Sequence, residues 1–215
     1  MLTCRGCSSA PPDAPPVFIE LTDHLRCTGD HDEMFLVLLP DQMAGRRVDR
    51  GTLGCPVCGR VTAVEGGVAD FGGGRPSEAS TSLTAPAIAA LLGLSGPGGY
   101  LAVFGSPGAA VADLAQVFPG VRLVLVNPPE GIADSDQASV LRAGRSPLKA
   151  RSMRGVVIGG EVGADLGWRD AAIAAALPGN RIVGEGEPPS RDDLEILATA
   201  GGVWVARAMP PAVRR

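Results

Sequence analysis

The sequence predicts an α/β protein in which a small β-hairpin module carrying metal-type ligands precedes a Rossmann-like domain built on a parallel sheet. Two observations carry this. Beyond residue 84, short apolar runs such as 100–104 (YLAVF) and 121–126 (VRLVLV) alternate with helix-spaced segments, the pattern of strands buried between two helical layers. All five cysteines and both histidines, by contrast, lie before Gly72.

Taken in order, 8–16 (SSAPPDAPP) is too rich in proline and serine for regular structure, so residues 1–16 read as a flexible tail. Residues 17–71 form the ligand-bearing module. The glycine- and serine-rich stretch 72–83 reads as a linker, 84–208 as the α/β domain and 209–215 as a second tail. Within the α/β domain, 85–94, 108–117, 135–143, 168–177 and 191–200 are expected as helices. Strands are expected at 100–104, 121–126, near Leu148, and at 155–158, 180–185 and 203–206. With the last strand ending near Ala208, a further antiparallel strand is not expected.

Composition narrows the function. Nineteen basic against 23 acidic residues give a net charge of −4, which argues against a general nucleic-acid surface. No run approaches the roughly 20 apolar residues needed to cross a bilayer, and the amino terminus lacks the basic and apolar regions of a secretory signal. An odd cysteine count with two C-x2-C pairs fits reduced, metal-binding thiols better than disulfides, so the expected compartment is the cytoplasm. Arg142, Arg145, Lys149, Arg151 and Arg154 cluster in sequence and are read as a solvated basic run rather than an RNA contact.

Zinc requires four N or S donors in tetrahedral array. One knuckle is 54–59 (GCPVCG), where Gly59 lets the chain turn tightly behind Cys58. The other has two candidates. Cys27 and His31 form a C-x3-H pair, and Cys4 and Cys7 a C-x2-C pair in the proline-rich tail, whose ordering would cost entropy. The run 34–39 (MFLVLL), a polar turn at 44–47 and a return through 48–53 would link the first pair to the second knuckle as a hairpin. The favoured ligand set is therefore Cys27, His31, Cys55 and Cys58, against a plain redox or buried-thiol reading of Cys55 and Cys58. His24 is read as a surface or packing histidine rather than a ligand.

The runs 20–41 (ELTDHLRCTGDHDEMFLVLLPD) and 51–71 (GTLGCPVCGRVTAVEGGVADF) resemble the small zinc-ribbon methyltransferase-activator family. The likeness covers residues 19–71 and rests on Leu53-Gly54-Cys55-Pro56-Val57-Cys58, Val64, Gly67-Val68 and Phe71. Thr62 stands where an aromatic is usual and His31 where a cysteine is common. This resemblance implies a structural ribbon that contacts a protein partner.

In the second region, 104–109 (FGSPGA) is the first strand-to-helix turn, where glycines let a ligand approach the backbone. There is no GK[ST] for a phosphate loop, and no histidine or G-x-S-x-G for serine hydrolysis. The order of elements over 84–207 resembles the class I S-adenosylmethionine-dependent methyltransferase fold. That resemblance implies S-adenosylmethionine over Gly105, Ser106 and Gly108, with Asn127 near its ribose. It also implies acids beside the first turn and at the end of the second strand, where this chain has Val103, Phe104 and Asn127. Residues 127–130 (NPPE) resemble the amino-group methyltransferase motif, but after the second strand and with Glu130 replacing the aromatic, and are read as a rigid turn. Glu161 follows the fourth strand in a glycine turn and is read as a solvated loop acid. Two functions are carried forward: a degenerate S-adenosylmethionine-dependent methyltransferase, and a non-catalytic adaptor binding a partner through its zinc ribbon.

Overall fold

The computed structural model describes residues 17–132 and 136–210. Twelve strands form one mixed sheet. The amino-terminal module supplies β1 (Val17–Phe18), β2 (Val37–Ala44), β3 (Arg47–Gly54), β4 (Val61–Glu65) and β5 (Val68–Asp70), all antiparallel to one another where they pair. A 3-10 turn, Ile19–His24, follows β1 on the way to β2. β2 and β3 are the expected hairpin, and β1 and β4 share the opposite edge of β3.

The remaining strands are β6 (Tyr100–Phe104), β7 (Arg122–Val126), β8 (Ala138–Arg142), β9 (Gly155–Ile158), β10 (Arg181–Glu185), β11 (Leu194–Ala200) and β12 (Val203–Ala208). They are ordered β8-β7-β6-β9-β10-β12-β11, with β8 through β10 parallel. This is the doubly wound order, whose switch point lies between β6 and β9.

Four expectations are corrected. Residues 138–142 are strand β8, not a helix: Ala138 and Leu141 are fully buried and Val140 nearly so, a central-strand pattern rather than a one-faced helix. Residues 194–200 are strand β11, because they pair with β12 across a two-glycine turn at Gly201-Gly202. β12 therefore runs antiparallel between β10 and β11, and the additional antiparallel strand is present after all. The strand expected near Leu148 is reduced to one bridge, Leu25 to Leu148.

Helices α1 (Ala85–Leu92) and α2 (Val111–Val117) cover one face of the sheet; α3 (Gly160–Ala164) and α4 (Leu166–Ala175) lie on the other. Thr84 caps α1 through its side chain, and Gly93, at φ 59°, ends it in the left-handed region. Strand residues alternate between two buried clusters, Leu101, Val103 and Leu125 against α1 and α2, and Ala102, Phe104 and Val124 against α4. None of the described helices is long and apolar enough to cross a membrane.

The module is continuous with the α/β sheet, because β5 pairs in parallel with β8. Its apolar residues Val17, Leu21, Leu25, Val48 and Leu53 belong to the same buried cluster as Phe104, Ile158 and Ala172. The crossover from β8 to β9 carries no helix, and the module packs there instead. Arg26 N–H donates to the Pro147 carbonyl at 2.7 Å, Lys149 N–H to the His24 carbonyl at 2.9 Å, and the Arg122 guanidinium sits 3.6 Å over the Phe18 ring.

Candidate metal centre and strand-end site

Cys27, His31, Cys55 and Cys58 converge, with their ligand atoms all within 4.8 Å of one another. The bend after Cys27 brings His31 back, and the turn between β3 and β4 presents Cys55 and Cys58. Gly59, at φ 68°, donates its N–H to the Cys55 carbonyl and closes that turn. Cys27 Sγ lies 3.6 Å from Cys58 Sγ, and His31 Nε2 lies 3.5 Å from Cys55 Sγ. A disulfide needs about 2.05 Å. Tetrahedral zinc with sulfur bonds of about 2.3 Å and nitrogen bonds of about 2.0 Å requires edges of about 3.8 Å (S to S) and about 3.5 Å (S to N). The donor set fits such an ion.

The surroundings prepare the donors. His31 Nδ1 lies 2.7 Å from the Asp32 carbonyl, which fixes the proton on Nδ1 and leaves Nε2 free to ligate. That contact also raises the His31 pKa. The Gly29 N–H donates to Cys27 Sγ at 3.3 Å, and a side chain at Gly29 would press on the His31 ring. Burial pushes the Cys27 thiol up to about 11, against the Gly29 bond, so a nearby cation is needed to hold it as thiolate. For Cys55 burial acts the same way, but N–H groups of Cys58 and Val57 outweigh it and the pKa falls; the Arg60 N–H lowers that of Cys58. Cys4 and Cys7 lie outside the described residues.

The second site lies at the carboxyl ends of the parallel strands. Gly105, Ser106 and Gly108 form the turn leaving β6, and Asn127 ends β7, so the sheet brings them side by side, with the Gly105 N–H bonded to the Val126 carbonyl. All four residues are buried, Ser106 at 2% and Asn127 at 7% exposure. A Cβ on Gly105 (φ 75°) would meet Val162 at 3.0 Å and Ser77 Oγ at 3.1 Å, and one on Gly108 would meet Pro128 at 2.8 Å. Asn127, at φ 49°, spends its side chain on the backbone: Nδ2 donates to the Ala143 carbonyl at 2.7 Å and the Ala143 N–H donates to Oδ1 at 2.9 Å.

Against Gly105 and Asn127 lies the stretch read as a linker. The Ser77 N–H donates to the Asn127 carbonyl at 3.3 Å. Further along, Glu185 at the end of β10 accepts from Thr81 Oγ1 (3.0 Å), Ser82 N–H (2.6 Å) and Ser82 Oγ (2.7 Å) through Oε1, and from the Gly160 N–H (2.9 Å) through Oε2. Residues 77–82 thus form a strap over the ends of β7, β6 and β10. Composition hid this, because serine and threonine that mark a flexible joint are also short hydrogen-bonding arms. The available signal was Glu185, an acid at the end of a buried strand.

The 127–130 segment is held as a turn, with the Arg142 guanidinium donating to the Pro128 and Pro129 carbonyls. The basic run is largely consumed within the fold: Arg145 pairs with Asp30, Lys149 donates to the Asp23 carbonyl, and Arg154 donates to carbonyls of 95–98. Glu161 opens α3 and, with Arg75 and Trp168, lines a cavity of about 220 Å³ beside Asn127.

No protein-family model matches the chain, and no curated protein does. Among solved structures it is similar to a geranyl diphosphate methyltransferase bound to GPP and sinefungin, at 18% identity and a TM-score of 0.39 over 46% of this chain and 42% of that one. A complex of the Haloferax volcanii Trm112 methyltransferase activator with a methyltransferase gives 15% identity and 0.39 over 47% and 50%. The antibiotic-resistance methyltransferase Kmr gives 15% and 0.41 over 63% and 99%. The chain thus spans about half the length or less of the first two, and overlaps this partial say nothing about activity.

Proposed function

We propose that this chain is a methyltransferase-like scaffold, stabilised by zinc on Cys27, His31, Cys55 and Cys58, that works as a non-catalytic adaptor rather than as an enzyme. One observation carries the reading. Of the residues that would meet S-adenosylmethionine, Gly105 and Asn127 are buried against Ser77 of the protein's own strap, Ser106 lies against Gly160 and Gly108 against Pro128, and the Asn127 amide is already bonded to Ala143. An asparagine so placed is buried and oriented by the backbone rather than toward ribose hydroxyls, and the charge-assisted bonds of a carboxylate are missing.

A protein partner on the ribbon is supported by its outer face. Val37 and Leu39 of β2 and Val61 of β4 stand on one side of the sheet, 43%, 62% and 64% exposed, with Phe35 beside them at 52%.

The second reading, a degenerate but working methyltransferase, is favoured by β12, since the antiparallel strand typical of those enzymes is in place. Isothermal titration of the zinc-loaded protein with S-adenosylmethionine separates the two. We expect no binding at millimolar ligand; micromolar binding would overturn the adaptor and restore the enzyme.

A further inference from the structure

A cavity of about 550 Å³ opens at the other end of the strap from Asn127, at the carboxyl end of β10. Ser80, Thr81 and Ser82 form one wall, and Gly160 and Gly163 of α3 keep another free of bulk. Arg169 of α4 contributes the cation. Its Nε is buried and has no hydrogen-bond partner among the described residues, and none of the ion pairs among them includes its guanidinium. That nitrogen is closed off from the cavity, so a ligand oxygen would meet the terminal nitrogens of the same guanidinium, which has no hydrogen-bond partner among the described residues. Two carboxylates line the same space. Glu185 is bonded to the strap and to Gly160; Glu187, on the rim, is exposed and takes part in none of those ion pairs.

The cavity therefore offers unmatched charge of both signs. An anion alone would satisfy Arg169 but meet Glu185 and Glu187. A cation alone would suit Glu187 but meet Arg169. A ligand carrying both charges satisfies both. We infer that this cavity binds a small zwitterion of the α-amino-acid class, its carboxylate on Arg169, its ammonium toward Glu187 and the strap hydroxyls. The volume leaves room for a side chain, within the usual range of about 300–1,000 Å³ for small-molecule sites. The inference does not depend on the adaptor reading: it is read at Arg169, whereas S-adenosylmethionine on the first turn would be read at Gly105.

The test is nuclear magnetic resonance on the ¹⁵N-labelled, zinc-loaded full chain, following the Arg169 Nε–H signal, assigned by its loss in Arg169→Lys. The probe is an equimolar mixture of the twenty common L-amino acids, then each alone, with acetate and methylamine as singly charged controls. We expect a saturable shift with one or a few amino acids and none with either control. Amides of Gly160 and Gly163 should follow the same titration, so that the variants can be compared. Arg169→Lys should weaken binding about tenfold, because a point charge replaces a planar fork. Glu187→Gln, at an exposed position, should weaken it about threefold. No saturable shift at about 10 mM total ligand, equal binding of acetate, or unchanged affinity in both variants would overturn the proposal.

Discussion

Asn127 and Ala143 exchange two hydrogen bonds, side chain to backbone in both directions, and so tie the end of β7 to the residue that follows β8. The pair does what a further rung of the ladder would do where the two strands diverge. Replacing Asn127 by Asp removes the Nδ2 donor and sets a buried carboxylate oxygen against the Ala143 carbonyl. We predict a loss of about 1–3 kcal/mol in urea unfolding and no gain in S-adenosylmethionine affinity. Tighter binding in Asn127→Asp would instead mark a decayed ribose site.

Zinc removal should reach well beyond the ribbon. Cys27 and Cys55 belong to the same buried cluster as Phe104, Val156 and Trp204, and β5 is a strand of the shared sheet. A separate module would melt alone. We predict about one zinc per chain by elemental analysis, its loss in Cys58→Ser, and unchanged content when Cys4 and Cys7 are both replaced by Ser. Chelation should lower the near-ultraviolet circular dichroism of Trp168 and Trp204, both in the α/β part. Aromatic signals that survive chelation would show two independent folding units.

Much of this architecture was legible in the sequence, and the failures have a common cause. The apolar runs 100–104 and 155–158 read as buried strands, and the GCPVCG knuckle supplied half of the Cys/His cluster that converges in the fold. Residues 138–142 and 194–200 mix polar with small apolar residues in short runs, where helical and strand spacing coincide; pairing with β7 and β12 decided them. The strap was missed because its hydrogen bonds run to residues about 50 and 100 positions away, which local composition does not register.

The strap should loosen in acid. For Glu185, burial alone would raise the pKa, but the bonds from Ser82, Gly160 and Thr81 outweigh it, and the pKa lies below the ordinary value. A depressed carboxylate contributes stability above its unfolded pKa of about 4.3, lost as pH falls through the folded value. Amide exchange at Ser82 and Gly160, corrected for the intrinsic pH dependence, should therefore accelerate below about pH 4 relative to neutral pH. Glu185→Gln should show fast exchange at every pH and a flat profile. Equal protection in the wild type and the variant would mean that the carboxylate does not hold the strap.

Gly184 and Trp204 face each other across β10 and β12, and a methyl group on Gly184 would overlap the indole atoms Cζ2 and Cε2. Trp204 is 1% exposed, so the ring has nowhere to retreat, and its Nε1 finds no acceptor among the described residues. Gly184→Ala should thus act by overpacking and cost about 1–3 kcal/mol, even though the glycine sits mid-strand, where alanine is normally the better residue. Trp204→Phe removes the overlapping atoms together with the unpaired N–H. The double variant should therefore be more stable than the sum of the single losses, with a coupling of about 1 kcal/mol in a denaturant double-mutant cycle. Additive losses would show that the cost of Gly184→Ala arises elsewhere than at the indole.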